Sequence, residues 1–243
     1  MDYYIDGEPD SRFQPDPPRR SRDLLLWAGI ALVLLIAGAA IGWAPAVTEQ
    51  VRAWTSPADS ATRKLADAAG MTSTGQRLFL GADPSIEPAS TFDKACADAD
   101  SGTGAESGGH SGGEGAQTLG CFVPSSGIIH IRDLSALGPS GANLETVTAA
   151  HEMLHVAWER TGRAERERLT ALLEAEAVKR ADDPSFTGML APYGDISAPA
   201  RDDELHSLVG TETAGLSPEL EEHYARYFLD RAALVDLSAA PTR

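Results

Sequence analysis

Three residues in one stretch of five have the types and spacing of a metal site: His151, Glu152 and His155, in the sequence His-Glu-Met-Leu-His. On a helix, residues i and i+4 lie one turn apart, with Cβ atoms about 5–6 Å from each other. Two imidazoles at that separation can bind one zinc ion at about 2.0–2.1 Å each. Glu152 lies one position round the helix, where it can accept a proton from a water that zinc acidifies. The pattern predicts a catalytic zinc site.

The residues around this motif predict a helix over 144–160. Val147, Ala150, Leu154 and Trp158 recur at helical spacing and share one face with the two histidines. The alternative interpretation is an ordinary amphipathic helix that happens to carry two histidines. Neutral imidazoles on an apolar face need polar partners, however, and a metal ion supplies one.

A catalytic zinc ion normally takes three protein ligands and keeps one position for water. Downstream of the motif, the sequence Asp-Glu-Leu-His-Ser at 203–207 offers Glu204 and His206, and Glu212 follows. Carboxylates and imidazoles are both acceptable zinc donors. The residue types alone therefore leave these three candidates open.

The element at 203–207 resembles the N-E-x-x-S element on the second zinc helix of gluzincins, the thermolysin-like group, with Asp in place of Asn. This resemblance implies that Glu204 is the third ligand. The metzincin pattern is excluded, because Trp158 and Thr161 stand where it requires Gly and His. The segment 147–212 is also similar to a family of uncharacterised secreted or membrane-anchored bacterial proteins, which pair a T-A-A-H-E-M-L-H helix with a later E-L-H-S-x-x-G-T-E element.

The chain departs from gluzincins at Leu208, where that group has an Asp four residues after the zinc-binding Glu. The residue that orients a zinc-bound histidine must then lie elsewhere, and Glu212 is the candidate. Because 210–212 is similar to the G-T-x-D element of aspzincins, Glu212 can instead be the ligand itself. His206, if it is no ligand, is a candidate to stabilise the oxyanion. Three further side chains are candidates to assist the transition state, with plain packing as the alternative: Tyr193, His223 and Tyr224.

The expected fold is a compact α+β, zincin-like domain over 71–243, with a small sheet, the zinc helix and a helical C-terminal half. The short β-branched run at 127–131 predicts a strand before the zinc helix, which is either a substrate-binding edge strand or a core strand. The remaining patterns predict a strand at 76–80, helices at 164–180, 201–209 and 217–237, and a loop at 182–200.

The N-terminal part of the chain has the pattern of a membrane anchor. Residues 24–44 carry no charge and are long enough as a helix to cross a bilayer. Arginines just before this span predict a disordered cytoplasmic tail at 1–23, with the rest of the chain exported and a stalk helix at 45–70. The alternative is a cleavable signal peptide, because 44–46 has the A-x-A form of a cleavage site.

Cysteine content and charge narrow the function further. Cys96 and Cys121 are the only cysteines, and an even count in an exported domain predicts a disulfide, here closing a Gly/Ser-rich loop at 97–118. The formal net charge of −16 excludes a nucleic-acid-binding class, which needs a basic surface.

These patterns together predict a zinc metallopeptidase on the outer side of the cell membrane. It is anchored by one transmembrane helix, with its N-terminus in the cytoplasm, and it acts on protein or peptide substrates. The alternative is a catalytically inactive, zinc-stabilised binding or scaffold protein of the cell envelope. In such a protein a fourth protein ligand would close the coordination of the metal.

Overall fold

The computed structural model describes residues 60–100, 118–194 and 196–239. Within these residues, nine α-helices and one three-stranded sheet form a mixed fold, which confirms the predicted α+β class. In chain order the elements are α1 (Ser60–Ala68), α2 (Ser73–Gly81), β1 (Ser85–Glu87), α3 (Ala89–Asp100), β2 (Gly120–Val123), β3 (Ile128–Arg132), α4 (Pro139–Arg160), α5 (Arg163–Lys179), α6 (Pro184–Leu190), α7 (Ala198–Glu212), α8 (Pro218–Tyr224) and α9 (Arg231–Ser238). Two short 3₁₀ turns, Ser135–Leu137 and Ala191–Tyr193, precede α4 and follow α6.

The sheet has the strand order β1–β3–β2, with β1 parallel and β2 antiparallel to β3. β3 confirms the strand predicted at 127–131, and its place in the centre of the sheet selects the core strand over the edge strand of the two alternatives. Ile129 and Ile131 alternate with more exposed neighbours and are fully buried in the main core. This alternation is what a strand with one face on the core requires.

β2 is an edge strand, with β3 as its only strand neighbour among the described residues. Its side chains alternate between the two faces of the sheet. Gly120 approaches α4, and Phe122 belongs to the main core. Cys121 and Val123 face the other way and pack with Phe92 of α3 in a second, smaller core.

α4 is the central element of the main core and is buried on nearly every side between Glu145 and Trp158. It confirms the helix predicted over 144–160 but begins earlier, at Pro139. Proline is suited to the first turn of a helix, because the N–H it lacks would have no hydrogen-bond partner within the helix. The spacing predicted one apolar face, but residues on all sides of α4 are buried. The polar residues of the motif are therefore carried into the interior.

α7 packs against α4. It extends beyond the helix predicted over 201–209 at both ends and continues through Gly210 to Glu212. A Cβ atom at position 210 would lie 2.5 Å from Cδ1 of Leu154 and 2.6 Å from Cε1 of Tyr224. The glycine therefore allows α7 to approach its neighbours closely, and it is not a helix stop.

Of the other predicted elements, some are confirmed by the structure and some are not. α5 confirms the helix predicted over 164–180. The run 76–80 lies in helix α2 and not in a strand, because Thr72 caps that helix and short apolar runs fit both structures. The loop predicted over 182–200 contains α6, and the single helix predicted over 217–237 is divided into α8 and α9.

α1 belongs to the domain, since Leu65 and Ala66 are buried in the main core. The prediction of a stalk over 45–70 is therefore wrong for α1. The first part of that segment, the tail at 1–23 and the span at 24–44 lie outside the described residues. Among the helices that are described, none is both long and apolar enough to cross a membrane.

The disulfide expected from the sequence joins Cys96 of α3 to Cys121 of β2. It ties the helix on the outer face of the sheet to the edge strand. Closing a segment of 25 residues restricts the unfolded chain and contributes about 3 kcal/mol in the loop-entropy account. Most of the predicted Gly/Ser-rich loop, residues 101–117, lies outside the described part of the chain.

Candidate metal centre

Three side chains from two helices converge where α4 meets α7: His151, His155 and Glu204. One ligand atom of each lies within 4.8 Å of the others. Nε2 of His151 is 3.7 Å from Oε2 of Glu204, and Nε2 of His155 is 3.8 Å from Oε1 of the same carboxylate. The structure thus brings the two histidines of the motif together with one of the three candidate third ligands.

The donor atoms of this cluster are spaced for a single ion. Donors arranged tetrahedrally at 2.0–2.1 Å from an ion lie about 3.4 Å apart, less than the two nitrogen–oxygen separations of 3.7 and 3.8 Å and the 4.8 Å limit of the cluster. Two imidazole nitrogens and one carboxylate oxygen leave a fourth position open. The cluster can therefore hold a metal ion, and its mixture of nitrogen and oxygen donors suits several divalent transition metals.

The burial of these groups supports a cation at this place. His155, Glu204 and Glu152 are each at most 2% exposed, and His151 is 8% exposed. Taking a carboxylate out of water costs several kcal/mol unless positive charge lies nearby. Two buried carboxylates beside two imidazoles, which are neutral when they bind metal, leave an excess of negative charge. A divalent cation compensates for it.

Asp203 orients His155. Its Oδ1 atom lies 2.7 Å from Nδ1 of His155, and the Ser207 hydroxyl lies 3.4 Å from the same nitrogen. An Nδ1–H that donates to Asp203 leaves the Nε2 lone pair directed at Glu204 and the cluster. The orienting partner of His155 is therefore Asp203, which was not among the expected candidates. The signal was present in the sequence as the residue immediately before Glu204.

The carboxylates around His155 also set its charge. Burial alone would lower the pKa of His155, but the charges of Asp203 and Glu204 outweigh burial and raise that pKa to about 10. The surroundings of this imidazole therefore stabilise positive charge, as a cation site must.

We expect Asp203→Asn to lower the affinity for zinc about 10–100-fold, because the amide loses the negative charge that orients and polarises His155. Competition with a chromophoric zinc chelator measures the change. Asp202→Asn is the matched control, since the Asp202 carboxylate accepts a hydrogen bond from Thr170. Equal affinities for Asp203→Asn and the unmodified chain would contradict the assigned role.

Glu152 lies beside the first residue of β2. A Cβ atom at position 120 would lie 2.6 Å from Oε1 of Glu152 and would also overlap the Thr148 side chain. Only glycine lets the edge strand approach α4 this closely. The carboxylate of Glu152 is thus held against the start of β2, a contact that sequence patterns did not reveal.

Gly120→Ala is therefore expected to destabilise the fold by about 1–3 kcal/mol, the usual cost of overpacking, and to displace Glu152. Urea unfolding followed by circular dichroism measures the loss. Gly188→Ala serves as control, because a Cβ there meets nothing within 4 Å. A Gly120→Ala chain as stable as the Gly188→Ala chain would show that this contact is not tight.

Glu212 and Tyr193 border the cluster without belonging to it. Glu212 ends α7; burial of its carboxylate raises its pKa, and the nearby His151 imidazole lowers it by less. Burial raises the pKa of the Tyr193 phenol, and the charges of Glu204, Glu212 and Glu152 raise it further. Tyr193 therefore stays protonated at neutral pH.

His206 is not among the donors of the cluster. It follows Glu204 by two positions, about 200° round α7, and only 1% of it is exposed. Its Nε2 lies 2.9 Å from Nε2 of His223, and its backbone carbonyl accepts a hydrogen bond from the Tyr224 hydroxyl at 2.7 Å. Burial lowers the pKa of His206 well below its usual value and that of His223 to about 4. The expected roles of His206 as ligand or oxyanion donor are not supported by this placement, and His223 and Tyr224 pack in the core.

Comparison of the chain with protein-family models, with curated proteins and with solved structures finds no match. The inference of a function therefore rests on the geometry of the cluster and its surroundings.

Proposed function

We propose that this protein is a zinc-dependent metallopeptidase with a zincin-like domain of the gluzincin type. The observation that carries the proposal is the convergence of His151, His155 and Glu204, with Glu152 buried beside them as a separate carboxylate. A zinc ion held by this cluster would act as a Lewis acid on the scissile carbonyl and acidify a water.

The residues of the chain supply the proton transfers. Glu152 is the general base that takes the proton from the attacking water and then delivers it to the leaving amine. Tyr193, whose pKa is raised, is the candidate donor to the developing oxyanion. Asp203 keeps His155 in the tautomer that presents Nε2 to the metal.

The edge strand β2 supports a peptide as the substrate. An extended peptide can add to the unpaired edge of a strand through backbone hydrogen bonds. β2 has such an edge among the described strands, although its own four residues are buried. β2 begins next to Glu152, so a peptide paired with it would pass the general base. This feature, together with the separate carboxylate of Glu152, favours a peptidase over a zinc-stabilised scaffold.

We also propose that the enzyme acts outside the cell membrane, anchored by residues 24–44. The disulfide between Cys96 and Cys121 supports an oxidising compartment, because such bonds rarely persist in the cytoplasm.

The test uses the full-length chain purified in detergent, with zinc measured by mass spectrometry. We expect one zinc ion per chain and cleavage of peptides in a proteome-derived mixture. Chelation with 1,10-phenanthroline should abolish cleavage, and added zinc should restore it. A folded chain that binds zinc and cleaves no peptide would instead favour the scaffold, and one that binds no zinc would refute both.

A further inference from the structure

A cavity of about 780 Å³ opens beside the metal cluster. It lies between the C-terminal half of α4, the N-terminal half of α5, the first turn of α7 and the end of β2, and its wall includes His155 and Asp203. Nothing in the proposed chemistry uses this space. Its position next to the candidate metal ligands makes it a candidate for binding part of the substrate.

The inner wall of the cavity is apolar and fixed. Phe122 and Trp158 line it and are 2% and 6% exposed, respectively. Pro124 and Pro199 extend this wall at the end of β2 and the start of α7. Such a surface suits the aliphatic part of a long side chain, which buries its methylene groups while its charged end stays near polar partners.

The rim of the cavity is acidic. Four carboxylates line it, those of Glu159, Glu167, Asp202 and Asp203, against the two guanidinium groups of Arg163 and Arg166. Arg163 and Glu167 form an exposed ion pair with each other. Arg166 donates to the backbone carbonyls of Trp158 at 3.1 Å and Glu159 at 2.6 Å.

Asp203 is in turn paired with His155, so the excess charge of the rim is negative and is concentrated at Glu159 and Asp202. Burial raises the pKa of Glu159, the neighbouring Asp203 carboxylate raises it further, and the Arg166 guanidinium lowers it. Like charges held this close favour the arrival of a cation between them. The charge of the cavity therefore complements a basic group.

β2 connects the general base to this cavity. Gly120 approaches Glu152, and Phe122, two residues on, lines the cavity. Two residues of a strand span about 6.8 Å. A peptide paired antiparallel with β2 would place its scissile bond near Glu152 and the side chains on its N-terminal side over the cavity.

We propose that this cavity is a substrate subsite that binds a lysine or arginine side chain two or three residues N-terminal to the cleaved bond. The aliphatic part of that side chain packs on Trp158 and Phe122, and its charged end reaches Glu159 and Asp202. This inference rests on the proposed peptidase function and adds the substrate class: polypeptides with a basic residue before the cleavage site. The net charge of −16 favours the approach of such substrates.

Two measurements on the full-length, zinc-loaded chain test the subsite. The first is the sequence preference of cleavage in a proteome-derived peptide mixture. The second is binding to the Glu152→Gln variant, measured by fluorescence anisotropy with two labelled decapeptide pools of neutral residues that carry one lysine or one norleucine. We expect enrichment of Lys and Arg at the second and third positions before the cleaved bond, and about tenfold tighter binding of the lysine pool.

The double variant Glu159→Gln with Asp202→Asn should reduce both preferences to near equality. The matched control is Glu174→Gln with Asp182→Asn, two exposed acids outside the lining of the cavity, which changes the net charge equally and should keep both preferences. Circular dichroism and zinc content establish that each variant is folded and loaded.

The outcomes separate this inference from the proposed function. Cleavage without a basic preference, a preference on the C-terminal side of the bond, or a preference retained by the double variant would overturn the subsite and leave the peptidase intact. Tighter binding of the lysine pool that depends on Glu159 and Asp202, in a chain that cleaves no peptide, would support the cation-binding cavity and refute the peptidase. Equal binding of both pools, whether or not the chain cleaves, would overturn the subsite.

Discussion

Replacing Glu152 with glutamine is expected to lower kcat about 10²–10⁴-fold while the zinc content stays at the wild-type level. The amide is nearly isosteric with the carboxylate but cannot accept the proton of the attacking water. Because Glu152 is not one of the three clustered donors, its loss should leave the metal in place. Steady-state cleavage of a peptide found in the mixture assay, with zinc measured on the same sample, gives both quantities.

The control for this variant is Glu174→Gln, which makes the same chemical change at an exposed position of α5. A Glu152→Gln chain with the wild-type rate would eliminate Glu152 as the base. A chain that lost its zinc would instead make Glu152 a ligand and reopen the assignment of the cluster. With zinc retained and turnover lost, the variant becomes a trap for natural substrates.

His155→Ala and Glu204→Gln should each lower zinc affinity by more than the 10–100-fold expected for an orienting residue such as Asp203. His155→Ala removes a donor, and Glu204→Gln removes the negative charge of one, in a group with nitrogen–oxygen separations of 3.7 and 3.8 Å. Zinc affinity is measured by competition, and cleavage should fall with it. Free zinc at high concentration should partly rescue Glu204→Gln, since the amide oxygen keeps the shape of the carboxylate.

Glu212→Gln is the informative comparison for Glu204→Gln. Glu212 is exposed at the end of α7 and lies outside the donor group, so its variant should keep the wild-type affinity for zinc. Loss of zinc in Glu212→Gln with retention in Glu204→Gln would reverse the assignment of the third ligand. Circular dichroism distinguishes a lost ligand from a lost fold in each case.

Residue spacing along the chain predicted the part of the metal site that lies within a single helix. His151 and His155 meet because a helix always places residues i and i+4 one turn apart, whatever surrounds it. The disulfide between Cys96 and Cys121 was expected because only two cysteines occur. The resemblance to gluzincins selected Glu204, the residue that the structure brings to the two histidines.

The sequence was less informative about the order of strands in the sheet and about the rotation of helices around their axes. The pattern at 127–131 predicted a strand but left an edge and a core position open, and hydrogen bonding to β1 and β2 makes it central. His206 has the same spacing from the motif as Glu204 to within two residues, yet α7 turns it into the core towards His223. Asp203 was visible in the sequence, but its contact with His155 was not.

The sequence by itself determined the pair of histidines at the candidate metal centre, because the spacing of His151 and His155 acts within one helix turn. Only the tertiary structure decided which distant residues join them. Leu205 and Val209 are fully buried, and Gly210 lies against Leu154, so the packing of α7 on α4 sets the rotation of α7 about its own axis. That rotation directs Asp203 and Glu204 to the histidines and His206 away from them. It depends on contacts between residues some fifty positions apart, and no local spacing encodes such contacts.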